Sequence, residues 1–182
     1  MVPFYKQIAD LITWTRAFMV PLLIWLGLAR GPESLPIVVV IVFYNWTADS
    51  IDGPLARKIP SFHETWIGQR DLEIDMTFST GLLVYLTATG FVSLSATIFY
   101  LLLWIVIFWW RGIVHTLGVL YQAPIYLWFI IIAFQNAPQY AWWLIAWVIL
   151  ALAITWPKFP KIIVPVFLSG VRNLFGKDQK PY

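Results

Sequence analysis

LPIVVVIVFYNWTADSIDGPLAR, residues 35–57, is the stretch on which the reading of this chain turns. Leu35 to Phe43 form an unbroken apolar run, and the second half delivers Asp49 and Asp52 with Gly53, Ala56 and Arg57 behind them. A crossing of a bilayer needs about 20 apolar residues, and the run supplies the body of one. Carboxylates placed close behind it are costly, roughly 2.5–3.5 kcal/mol each near the bilayer core on insertion scales. A second acidic pair, Asp71 and Asp75 in DLEID, follows the polar connection Lys58 to Trp66. Four such carboxylates demand compensation, and bound divalent cations would supply it.

Composition agrees with a membrane setting. Of 182 residues 60% are hydrophobic and only 12% are charged, and mean hydropathy is +0.76. A soluble domain carries about 25% charged residues and could not cover its surface with so few. One membrane domain over residues 1–182 is expected, with no separate soluble domain and no nucleic-acid partner. The absence of cysteine excludes disulfides and thiolate metal sites. The opening MVPFYKQIAD is polar and amphipathic, and Arg16 interrupts the apolar run after it. That pattern predicts a retained first helix rather than a removed leader.

The expected fold is an all-α integral membrane protein of six transmembrane helices with an N-terminal amphipathic segment. The spans fall near 11–29, 35–52, 68–93, 96–119, 120–136 and 140–157. Asp10 is the N-cap expected for the first, and Arg30-Gly31-Pro32 is its stop. Gly53-Pro54 closes the second, with a kink at Asp52–Gly53, and Gln122-Ala123-Pro124 is the break between the fourth and fifth. Basic residues set the orientation. With a cytoplasmic N-terminus, eleven of the twelve Lys and Arg fall in or near the cytoplasmic half, and only Arg30 falls outside. Both termini are then cytoplasmic, which an even number of spans satisfies. Twelve Trp and eight Tyr read as interfacial belts rather than ligand groups. The tail from Lys158 alternates Lys and Arg with apolar residues, as a segment lying on an anionic leaflet does.

Residues three or four apart on a helix share a face. Asp49, Asp52 and Ala56 therefore line one stripe at the end of the second span, and Asp71 and Asp75 another at the start of the third. The connection between them turns the chain back, so the stripes can face each other at one depth. Four carboxylates there make an all-oxygen site for hard cations, Mg²⁺ or Mn²⁺. Two ions about 3.5–4 Å apart would clamp both ends of a phosphoryl displacement. Gly53 and Ala56 let a base or ribose approach the helix backbone, and Arg57 offers a planar fork to phosphate oxygens. The plain alternative is a solvated cytoplasmic loop, against which stand the helical spacing of four acids and the adjoining G-x-x-A-R.

The run Asp49-x-x-Asp52-Gly53-x-x-Ala56-Arg57, then Gly68 and Asp71-x-x-x-Asp75, resembles the signature of the CDP-alcohol phosphatidyltransferases (class I). Thr13, Thr15 and Arg16 stand where members of that family often show a Thr and an Arg in the first span. The resemblance implies a six-span enzyme that transfers a phosphatidyl or related group from a CDP-linked lipid such as CDP-diacylglycerol to an alcohol, releasing CMP. It implies Asp49, Asp52, Asp71 and Asp75 as metal ligands, Asp75 also as general base, and Gly53, Ala56 and Arg57 as contacts to the CDP moiety. In the family a Gly usually stands four residues before the third Asp; here it stands three before, with Ile67 in that place.

The acceptor is less legible. Arg111, in WWRGIVH, either binds a phosphate or carboxylate on the acceptor or pairs with one of the acids between 49 and 75. Its segment is loosely similar to phosphatidylglycerophosphate synthases, which implies glycerol 3-phosphate as one candidate. Arg16 either reaches the donor's headgroup or snorkels to the interface. His63 and His115 read as satisfied or solvated rather than ligating, and Glu73 lies off the Asp71–Asp75 face. Membrane lipids surround the chain, and a homodimer is an open possibility. From a different class, the acids would form the selectivity ring of a divalent-cation channel or transporter, and a third reading is a non-catalytic CDP-lipid-binding protein.

Overall fold

A chain so poor in polar side chains satisfies its backbone within helices, since apolar surroundings offer N–H and C=O groups no other partner. The computed structural model describes residues 4–56 and 71–175. It is all helical, with 92% of residues in helices and no strand among those described. The α-helices are α1 (Phe4–Arg30), α2 (Leu35–Ala56), α3 (Asp71–Ala88), α4 (Leu94–Arg111), α5 (His115–Asn136), α6 (Pro138–Thr155) and α7 (Val164–Phe175). Four helical stretches are long and apolar enough to cross a membrane: Leu11–Ile51, Leu94–Arg111, His115–Asn136 and Pro138–Thr155. The first comprises most of α1 and α2. Helix α3 is not among the four, and it carries Asp71, Glu73 and Asp75 in its first turns.

Several boundaries differ from the sequence expectation, each for a local reason. Asp10 is not an N-cap: α1 starts at Phe4 and runs through it, because nothing between them breaks a helix. Helix α2 continues past Asp52 to Ala56, so Gly53-Pro54 does not close it. Helix α3 ends at Ala88 rather than near 93, where the chain turns through Gly90 at φ 79°. The break between the fourth and fifth helices falls at Gly112–Val114, not at Gln122-Ala123-Pro124. Gly112 takes φ 75°, a left-handed conformation that glycine adopts without a Cβ penalty, and its N–H caps Phe108 O at 2.8 Å. Pro124 stays inside α5, as prolines do in apolar bundles where neighbouring groups satisfy the freed carbonyl.

Helix α1 lies between α2 and α3, and α5 between α3 and α6. Leu23, Leu26, Val38, Val42, Phe78, Leu82, Tyr85 and Phe129 fill the core. Two glycines set how close α1 and α3 come. A Cβ on Gly81 would meet Val20 Cγ1 at 3.0 Å, and one on Gly27 would meet Ala88 Cβ at 3.2 Å. Small residues at such seams let backbones approach and gain dispersion contact, the main attraction left where water is absent. Ser34 pins the α1–α2 turn, donating to Gly31 O at 2.6 Å with its Oγ 3.2 Å from Tyr85 Oη of α3. Helix α4 sits at the edge, held through Tyr100 to the Tyr121 carbonyl and through Thr87–Thr97 at 2.6 Å. Its outer face, with Phe99, Leu102, Val106 and Trp109, is exposed. Apolar exposure of that extent suits hydrocarbon rather than water.

Candidate functional site

The α1–α3 seam carries a charge into the bundle. Arg16 of α1 is fully buried, at 0% exposure. A guanidinium without water is strongly penalised unless it is paired and hydrogen-bonded. Arg16 is both. Its Nη2 reaches Asp49 Oδ1 of α2 at 3.0 Å and also contacts Asp75 Oδ1 of α3. Its Nε donates to Asn45 Oδ1, one turn before Asp49, at 3.3 Å. Next to it Thr15 Oγ1 and Tyr44 Oη lie 2.7 Å apart, a second polar tie between α1 and α2. The ends of α2 and α3 thus share one buried cation.

Asp49 and Asp75 keep part of their surface open, 44% and 24% of the side chain respectively. Both open onto a cavity of about 280 Å³. Asn45 and Trp46 of α2 line it beside Asp49, and Gln122 and Tyr126 of α5 form the facing wall. Trp147 and Val148 of α6 complete it. The aromatic side is built: Trp46 lies 5.4 Å from Trp147 and 5.4 Å edge-on from Tyr126, centroid to centroid. Trp147 Nε1 donates to Thr47 Oγ1 at 3.0 Å, which fixes the indole against α2. Gly118 lets the start of α5 approach the first turn of α3, since a Cβ there would come within 2.5 Å of Leu72 Cδ1.

Of the residues singled out in sequence, the fold brings Asp49 and Asp75 together. Asp52, Gly53 and Ala56 belong to the last turn of α2 and Asp71 opens α3, but their side chains lie outside the described residues, as do Arg57, His63 and Gly68. Arg16 does not snorkel: it turns inward to the two aspartates. Arg111 ends α4 with its guanidinium 4.7 Å from the Trp110 ring centre, and among the described residues it pairs with no carboxylate. His115 is exposed at the first position of α5, and Glu73 is exposed as well.

Sequence reasoning missed Asn45, Gln122, Tyr126, Trp46 and Trp147 as wall residues. Asn45 and Trp46 were findable, four and three residues before Asp49 on α2. Gln122, Tyr126 and Trp147 come from helices distant in sequence, and the two indoles read as interfacial belt residues. The belt reading suits the remaining Trp better, with Trp109, Trp110, Trp142 and Trp143 all exposed.

Whether these residues suit a divalent cation is a question of donor chemistry. Two carboxylates already converge on one positive atom, and all their donors are hard oxygens. At the ~30 Å³ that liquid water takes per molecule, the cavity has room for an ion and several waters. No group of three or more ligating side chains forms among the described residues, in which the side chains of two of the four aspartates, Asp49 and Asp75, are described. The carboxylate oxygens of Asp49 and Asp75 are of the kind that hard divalent cations take. No protein-family model, curated protein or solved structure matches the chain.

Proposed function

We propose that this chain is a membrane-embedded, divalent-metal-dependent transferase of the CDP-alcohol phosphatidyltransferase kind. It moves a phosphatidyl or related group from a CDP-linked lipid to an alcohol and releases CMP. The observation that carries this reading is the convergence of Asp49 and Asp75 on Arg16 at the rim of a polar cavity. It supports the expectation that the D-x-x-D-G-x-x-A-R run and the DLEID run act as one site.

In this reading α1 to α6 make six crossings, both termini are cytoplasmic, and the aspartates lie beneath the cytoplasmic headgroups. Asp49, Asp52, Asp71 and Asp75 would hold Mg²⁺ or Mn²⁺. Bound there, such ions would neutralise the diphosphate and stabilise the leaving phosphate. Gly53, Ala56 and Arg57 receive the CDP moiety. Asp75 takes the proton of the acceptor hydroxyl as its oxygen bonds to the β-phosphorus. The bond from that phosphorus to the CMP oxygen breaks, and CMP leaves with the electron pair. The aromatic wall of Trp46, Tyr126 and Trp147 excludes water from the reacting face. Arg111, at the end of α4, is assigned to the acceptor, with glycerol 3-phosphate first in the panel.

The test is CMP release from CDP-diacylglycerol by the purified protein in mixed micelles. It is run with Mg²⁺ or Mn²⁺ and a panel of alcohols that includes glycerol 3-phosphate. The reading expects metal-dependent CMP release with at least one acceptor. Failure of CDP-lipid to bind or turn over under all these conditions removes it.

A further inference from the structure

Arg16 occupies a place that the transferase reading leaves unexplained. Its guanidinium is fully buried, yet it is spent on two carboxylates that the proposed chemistry needs for cations. Its Nη2 contacts one oxygen of Asp49 and one oxygen of Asp75. A positive atom shared between one oxygen of each of two carboxylates is the arrangement a bridging cation takes. Asn45, by accepting from Nε at 3.3 Å, holds the guanidinium plane in that position. A guanidinium and a divalent ion on the same pair of oxygens would repel each other strongly at such separations, the more so in a poorly solvated site.

We infer that Arg16 is a built-in counter-ion: it holds Asp49 and Asp75 together in the metal-free protein and competes with the divalent cation for their oxygens. The inference rests on the metal-dependent reading of the site above. Arg16 therefore stabilises the metal-free bundle and weakens metal binding at once. It is a positioning residue, since it acts on substrate only through the two aspartates. Removing its charge takes that cation from between the two carboxylates, and bound metal then takes its place.

The experiment measures Mn²⁺ binding to the full chain in nanodiscs, without CDP-lipid, from the paramagnetic resonance signal of free Mn²⁺. Wild type, Arg16→Gln and Arg16→Lys are compared, and thermal unfolding is recorded for each with and without Mn²⁺. Arg16→Gln is expected to bind Mn²⁺ roughly 10-fold tighter, the scale on which groups beside a metal tune its affinity. Its Tm falls without metal and recovers with Mn²⁺ by more than wild type gains. Arg16→Lys, which keeps a charge, stays near wild type in affinity.

If wild type binds Mn²⁺ and Arg16→Gln binds it equally or more weakly, the inference is overturned while the metal reading stands. If neither binds, both fall together. Should Arg16→Gln not accumulate, the Arg16 Nε–H resonance of selectively labelled wild type is followed as Mg²⁺ is added. A shift that saturates with binding is expected, and an unmoved resonance in a protein that binds metal overturns the inference.

Discussion

Two cavities of nearly equal size flank α5, and they differ in almost everything else. One, of about 280 Å³, has Gln122 and Tyr126 on its α5 wall and faces Asp49 and Asp75. The other, of about 250 Å³, has Ile125 and Trp128 on its α5 wall and faces Leu83, Leu86 and Ala96. The second does contain hydroxyls, but they are spent locally: Thr97 pairs with Thr87 at 2.6 Å, and Tyr100 donates to the Tyr121 carbonyl. The first contains two carboxylates that pair with the buried Arg16. Room alone therefore says little about where this protein acts. Charge brought into an apolar bundle does, because it persists only with specific partners. The contrast also weighs against a cation channel, since the neighbouring cavity along α5 is lined by no charged residue. Divalent flux into liposomes carrying the protein would reopen that reading.

The largest expected effect separates the cavities by chemistry. Asp75→Asn should lower CMP release by roughly 100-fold or more, the usual contribution of a general base, while the protein stays folded. Undiminished turnover would remove Asp75 from the reaction. Next comes stability. Arg16→Met in metal-free buffer should cost about 3 kcal/mol, the lower end for breaking a buried ion pair, because both aspartates are partly open. Thermal or denaturant unfolding in detergent reads this, and a loss below roughly 0.5 kcal/mol, typical of surface changes, would mean that the pair is not a structural tie.

A smaller effect probes the seam that positions the charges. Gly81→Leu should destabilise by about 1–3 kcal/mol through overpacking against Val20, and it should reduce CMP release by moving Asp75 away from Asp49. Normal activity in that variant would show that the close α1–α3 approach is not needed for the site. The smallest effect belongs to the apolar cavity. Thr97→Val removes one hydrogen bond, worth about 1 kcal/mol, and should leave CMP release unchanged. A large activity loss there would make the second cavity part of the machinery.

Much of this molecule was legible in the sequence, and what was not has physical causes. Composition alone pointed to a helical membrane protein, and Arg30-Gly31-Pro32 marked the first turn, where Gly31 does adopt φ 61°. The break after α4 was misplaced because Pro124 looked like the stronger signal. An apolar helix tolerates a proline, whereas Gly112 following Arg111 supplied the left-handed residue that ends α4. The two acidic motifs were visible, but their shared partner was not. Arg16 lies 33 positions before Asp49 and 59 before Asp75, and no periodicity links residues so far apart. The same distance hid the wall from α5 and α6: Tyr126 and Trp147 looked like any other aromatic residue until the bundle closed around Trp46.

The central claim is that two acidic helix ends meet on one buried cation, and a double-mutant cycle on Arg16→Gln and Asp75→Asn addresses it most directly. Unfolding free energies of wild type, both single variants and the double variant are measured in the same detergent without divalent ions. Groups in direct contact are expected to couple by roughly 0.5–3 kcal/mol, with the double variant less damaged than the two singles combined. Strict additivity, within about 0.3 kcal/mol, would mean that the two side chains do not meet, and the shared site would dissolve with it.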